Sequence, residues 1–339
     1  MAHLEGLQYV GSFQHADYLF ESENPLEEVW SRVSQLTSDQ ILKRIFEPTS
    51  QFNNWDDIRK YASIRMSQAV SFRDATREGS TLTKPLTLYY SFLNLTRACL
   101  ALLDENKSAG GHGLQFIDSE QGILSCTAKV NHKGTFRELI KKGNVNEVDN
   151  LQITLKDALS RVVELSNEIN FYISTQEHPN ITPITVYAEI NGPAYLSFPK
   201  NLPNFRERWE KDYPQLKECC VLCEEKNNLS INKELLGKGE IGISNFCRSR
   251  LWNNLLFSDL PKWYILRQSD NHTALPRYAY YFIASFILSS IVRYEPEMLY
   301  DEIRSNSSLN WMIHRYLTLA ERYYPHLMLN FLYEKEFYF

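Results

Sequence analysis

The residues best placed to do chemistry are Arg65, Asn94, Arg97 and His112. Arginine offers a planar fork of donors that holds a phosphate or carboxylate at two points, which lysine cannot do. Asn94 adds a neutral donor and acceptor. His112 stands in Gly110–Gly111–His112–Gly113, where glycines leave the imidazole uncrowded, and imidazole changes charge near neutral pH. Gathered together, these side chains would form a polar pocket for an anion, with Arg73 as a further member. Each also has a plainer reading. Arg65 and Arg73 can snorkel or pair with carboxylates (Asp56 or Asp104 for Arg65), Arg97 can face water, and His112 can be an exposed turn donor.

Two helices must position these groups. Over Trp55–Thr76 the residues Trp55, Ile58, Ala62, Met66, Ala69 and Phe72 form one apolar stripe, with Arg65 inside it and Arg73 on its edge. Over Lys84–Leu103 a broad apolar face leaves one polar stripe, Thr87, Ser91, Asn94 and Arg97, which faces water or lines the pocket. The short link containing Gly79 predicts an antiparallel helical hairpin that buries Met66, Ala69, Phe92 and Leu95.

Around the hairpin the pattern changes along the chain. Residues 1–24 read as an irregular or weakly stranded arm, and Asn24–Pro25 starts a helix. Gly113–Ile117, Ile123–Val130, Val148–Leu155, Pro183–Ile190, Ala194–Phe198 and Cys219–Ile231 have extended or strand character. Gly134–Gly143 and Asn204–Asp212 read as short helices and Lys156–Ile173 as a longer one. Pro261–Gln268 enters the core extended, followed by helices over Ala274–Arg293, Pro296–Arg304 and Leu309–Phe331, the last bent at Pro325. Arg293 and Glu295 suggest a structural ion pair with the N-terminal hairpin. The expected fold is α+β, mainly a helical bundle. An N-terminal helical hairpin region (25–105) packs with a C-terminal helical region (261–339) around a β-containing insert (106–260). With no linker in sight, 1–339 is expected to be a single compact unit.

Composition excludes several classes. Hydrophobic residues at 43% and charged residues at 23% are globular values, so disorder is not expected. A net charge of −5 argues against a strongly basic nucleic-acid coat. The start lacks a signal-peptide pattern and Ala279–Val292 is too short to span a bilayer, so the expectation is a soluble cytoplasmic chain without a membrane role. Cys219, Cys220 and Cys223 lack a second ligand pair, and Cys126 and Cys247 are isolated, so neither zinc nor another cofactor is expected. The glycines of 237–242 have neither phosphate-loop nor dinucleotide spacing and read as a hairpin turn.

The run Ile64–Leu103, followed by Gly111–His112–Gly113–Leu114, resembles the core of the bacterial YaaC-like family. Gly134–Ile140 and Phe286–Tyr300 match further blocks, so the resemblance spans roughly residues 25–335. It implies a family and a fold but little chemistry. Separately, Tyr89–Leu103 with the following His112 is similar to a stretch of HEPN domains, small helical bundles of prokaryotic toxin and defence systems. That similarity implies metal-independent RNA cleavage through an Arg-x4–6-His motif on a helix. Arg97 and His112 are too far apart in sequence for it. The spaced match is Arg267 with His272, in a polar turn whose plainer reading is a loop before a helix cap at Asn271 or Thr273.

Two functional readings follow, and the question of enzymatic activity stays open between them. The first is a non-catalytic binding or interaction module for a nucleotide-like or phosphate anion, a protein partner or a second copy of the chain. The second is a HEPN-type RNase of the kind found in phage defence, in which case alone nucleic acid is a partner.

Overall fold

The structure, a computed structural model, describes residues 7–9, 18–19, 22–46, 52, 54–104, 110–145, 148, 150–165, 168–169, 180–189, 193–224, 227–232, 234, 242–243, 246–247, 250–253, 263–268, 274–305 and 307–338. Strands β1 (Leu7–Tyr9) and β2 (Tyr18–Leu19) precede helices α1 (Pro25–Gln35), α2 (Asp39–Phe46), α3 (Trp55–Glu78) and α4 (Lys84–Leu103). Then come β3 (Leu114–Ile117), β4 (Thr127–Val130), α5 (Thr135–Lys142), β5 (Gln152–Thr154) and α6 (Leu155–Leu159). Strands β6 (Ile181–Glu189) and β7 (Ala194–Ser197), α7 (Phe205–Asp212), and β8 (Cys220–Leu222), β9 (Asn228–Ile231), β10 (Trp252–Asn253) and β11 (Trp263–Leu266) follow. Helices α8 (Arg277–Tyr294), α9 (Pro296–Ser305) and α10 (Ser308–Tyr333) lie near the C-terminus. The protein is α+β and mainly helical.

By its internal contacts the chain divides into two units. One, the sheet unit, comprises residues 1–17, 174–274 and 338. Its antiparallel sheet runs β10-β11-β6-β7-β9-β8. One edge of the long strand β6 is shared: β11 pairs with Ile181–Ile184 and β1 with Tyr187–Glu189. The alternation of β7 and β9 sends Ala194, Leu196, Leu229 and Ile231 into a core with Trp209, Tyr213 and Trp263.

The other, the helical unit, comprises residues 18–173, 275–337 and 339, and so takes in β3–β5, α5 and α6 from the first part of the 106–260 region. Polar contacts along the seam of α3 and α4 give the direction of packing. Thr76 bonds Thr87, Ser91 donates to the Ala69 carbonyl, and Arg65 donates to Asn94. As position advances along α4 its partner recedes along α3, so the pair is antiparallel. Met66, Ala69, Phe92 and Leu95 are fully buried in it. The polar stripe of α4 does not face water: Ser91 and Asn94 are buried against α3. By length and composition α4 would suffice to cross a membrane, yet 72% of that stretch is buried, as befits the central helix of a core.

The C-terminal helices close this core. Every residue of α8 from Arg277 to Ile291 is buried, and Phe92 stacks on Tyr324 of α10 with centroids 4.2 Å apart. Pro325 sits inside α10 and has no N–H to give the Glu321 carbonyl. That carbonyl instead accepts the Trp30 indole N–H of α1 at 2.9 Å. The Glu321 carboxylate and Glu27 meanwhile hold the buried Arg73 guanidinium, at 3.0 and 2.7 Å.

The expected long helix over Lys156–Ile173 is broken. Ser160 and Arg161 side chains both donate to the Asp157 carbonyl, the Arg161 N–H tightens onto the Ala158 carbonyl, and a 3-10 turn follows at Val163–Leu165. The break carries Glu164 to Arg277 and Tyr281 of α8.

Candidate functional site

The Gly110–Gly113 loop is built by backbone pressed on backbone. Gly113 and Gly134 have φ of 82° and 122°, and a Cβ on Gly134 would sit 2.4 Å from the Cα and N of Gly113. Only glycine allows that approach in that conformation. The loop carbonyls thereby cap the start of α5: Thr135 N–H donates to Gly111 O and Phe136 N–H to His112 O, at 3.3 and 3.0 Å. Arg97 fastens α4 to this junction. Its Nε donates to Thr135 Oγ1 at 3.1 Å and its Nη2 to Gly111 O at 3.2 Å, while Thr135 Oγ1 donates to the same carbonyl.

So held, His112 packs among the rings of Tyr89, Tyr90 and Phe286. Its Nδ1 lies 2.7 Å from the Tyr89 hydroxyl. Burial pushes the Tyr89 phenol far above its ordinary range, so it keeps its proton. Nδ1 is the single polar contact of this buried hydroxyl among the described residues, which makes Tyr89 the donor. The proton of the neutral imidazole then sits on Nε2, the nitrogen left without a polar partner among the described residues. Burial lowers the His112 pKa below its ordinary 6.5, and the charges of Arg293 and Arg97 push the same way.

His112 and Arg293 line one cleft of about 550 Å³, together with Gln115, Asn131, Leu114, Phe116, Phe286 and Tyr294. Arg293, in the last turn of α8, donates to Ser289 O and Ser290 Oγ of its own helix and lies over the Tyr294 ring at 5.0 Å. It forms no ion pair among the described residues, contrary to the structural pair expected with Glu295 and the hairpin. Reading the sequence missed Arg293 as a site residue. The available signal was an arginine closing an apolar helix with no acidic neighbour one helical turn back.

The remaining expected residues are placed differently. Arg65 is half-buried, donates to Gln68 and Asn94 at 3.0 and 2.9 Å, and lies over the Tyr61 ring at 5.1 Å. No carboxylate meets it among the described residues: Asp56 pairs with Arg59, and Asp104 with Lys142. Asn94 is consumed by this seam, since its amide also donates to Tyr90 O at 2.8 Å. Arg97 nonetheless feels the Arg65 charge: burial first, then Arg65, holds the Arg97 pKa below its ordinary value. Arg73 is removed from any site by its carboxylates. Arg267 follows strand β11 rather than lying in a bundle helix, and pairs with Asp212 at 3.2 Å; its proposed partner His272 lies outside the described residues, as do Asn271 and Thr273. Of 237–242, only Gly242 is described.

Among the described residues no group of three or more His, Cys, Asp or Glu side chains could hold a metal ion. Cys219 and Cys220 have their sulfurs 3.9 Å apart. No curated protein and no solved structure matches the chain. A protein-family model does, described as YaaC-like Protein and covering residues 22–332. That span takes in the hairpin, the His112 loop and α8–α10, and on it the chain belongs to the YaaC-like family.

Proposed function

We propose that the protein is a non-catalytic binding module whose His112–Arg293 cleft takes a phosphate-like anion, with Arg97 and Arg65 behind it supplying positive potential. The observation that carries this reading is a contrast among arginines. The buried Arg73, Arg161 and Arg277 each face a carboxylate. Arg65, Arg97 and Arg293 face none among the described residues, although Arg97 and Arg65 repel each other and both Arg97 and Arg293 repel a proton on His112. Cations gathered without an anion raise the local potential, and a bound anion relieves it. His112 Nε2–H and the Arg293 fork are the donors that would meet it.

Isothermal titration with inorganic phosphate and sulfate, at matched ionic strength, tests the proposal. Binding should be weakened at least about tenfold by Arg293→Ala, the loss of one charge-assisted contact, and weakened further by added salt. Among the described residues Arg293 hydrogen-bonds only within its own helix, so this variant is expected to keep the fold. Arg97→Ala is the poorer probe, because Arg97 also holds the loop. Absence of binding by both anions would remove the reading.

The alternative is RNA cleavage of HEPN type, without metal. What favours it is that an arginine and a histidine, Arg293 and His112, line one cleft. Incubation with single-stranded RNA in the presence of a chelator decides. Cleavage abolished by both His112→Gln and Arg293→Ala would make the module an enzyme, and intact RNA would leave it a binder.

A further inference from the structure

The cleft has a second half that an anion alone does not use. Phe116 and Tyr294 line it with near-parallel rings, 24° apart in plane and 6.3 Å between centroids. Tyr294 is 61% exposed, far more than a ring that serves packing. The Arg293 guanidinium lies over the same Tyr294 ring, so the cationic and aromatic halves adjoin. Gln115 and Asn131 also line the cleft, and their side-chain amides have no partner among the described residues. Each presents a donor and an acceptor side by side. Taking the anion reading above as its basis, we infer that the ligand is a nucleoside phosphate, its phosphate on Arg293 and His112, its base on the Phe116–Tyr294 shelf, and the base edge within reach of Gln115 and Asn131.

The chemistry fits in three respects. Flat heteroaromatic bases stack on exposed aromatic rings and arginine planes irrespective of base identity. A primary amide is the side chain that matches the donor–acceptor pattern of a base edge. A cleft of about 550 Å³ lies within the range that holds one small molecule. An acidic peptide or a sugar phosphate would use the cations without the flat ring that the aromatic shelf is suited to stack.

The test is calorimetric titration of the whole chain with the four common nucleoside monophosphates, ribose 5-phosphate, inorganic phosphate and adenosine. At least one nucleotide should bind about tenfold or more tighter than ribose 5-phosphate, the gain that base stacking supplies. Tyr294→Ala should bring that ratio close to one. If every nucleotide binds no better than ribose 5-phosphate, the base shelf is refuted and the anion reading stands. Should none of the phosphates bind, both fall. Adenosine binding as well as its monophosphate would overturn the phosphate assignment and keep only the shelf.

Discussion

Replacing Gly134 by alanine should cost far more than the same change at Gly122, although the two glycines have almost the same backbone. Gly122 has φ 100° and ψ 176°, Gly134 φ 122° and ψ 174°, and each precedes a helical turn. That region is closed to L side chains and costs about 1–3 kcal/mol. The surroundings differ. A Cβ on Gly122 meets nothing within 4 Å, whereas one on Gly134 lies 2.4 Å from the backbone of Gly113. Carbon atoms rest about 3.5–4 Å apart, so the overlap exceeds roughly 1 Å. Relief requires the His112 loop to leave α5, which breaks the bonds to Gly111 O and His112 O. At about 0.5–1.5 kcal/mol for each bond, Gly134→Ala should lose roughly 1–3 kcal/mol beyond Gly122→Ala. Urea unfolding reads the difference as a shift in midpoint at unchanged slope. Phosphate affinity should fall with Gly134→Ala and hold with Gly122→Ala. Equal costs in the two variants, with phosphate binding preserved, would refute the account of how His112 is positioned.

Phe92→Ala removes a fully buried ring stacked on Tyr324 and should destabilise by about 3–5 kcal/mol in urea unfolding; a loss below about 1 kcal/mol would place Phe92 outside the core. His326 is buried, donates Nε2–H to Phe337 O, and burial takes its pKa down from 6.5 to about 3. The fold therefore favours neutral imidazole: this stabilisation is complete above pH 6.5 and is lost as pH falls towards 3, at about 1.4 kcal/mol per pH unit. His326→Gln should flatten that part of the stability–pH curve, and identical slopes in variant and parent would exclude the assignment. Elemental analysis should find no stoichiometric zinc, and zinc lost on Cys220→Ser would overturn that expectation.

The hairpin was legible because both helices carry their own apolar periodicity and a short link leaves one way to pair them. The direction of the α4 polar stripe was not, since spacing alone cannot say whether Ser91 and Asn94 meet water or a neighbouring backbone. They meet α3, in the buried seam. Arg73 and Arg65 looked alike in sequence, yet one is neutralised by Glu27 and Glu321, the latter 248 positions away along the chain, and the other is not. Such pairing is decided by tertiary placement and leaves no local mark. The same holds for Arg293, brought into the cleft with His112 by α8 packing across α4. The turn at His112 was legible from its flanking glycines, but the imidazole they were expected to leave uncrowded packs among Tyr89, Tyr90 and Phe286. What the turn presses on, the backbone at Gly134, lies far along the chain and leaves no local mark.

The most direct test of the anion cleft is the titration of His112 itself, followed by NMR and assigned with His112→Gln, in chloride and in sulfate at equal ionic strength. The account predicts a pKa below 6.5 in chloride, because burial and the Arg293 and Arg97 charges oppose the proton. Sulfate should raise it, by placing a negative charge beside the ring. Arg293→Ala should raise the chloride value and abolish the sulfate response. A His112 pKa of 6.5 or above in chloride, indifferent to both sulfate and Arg293→Ala, would contradict it.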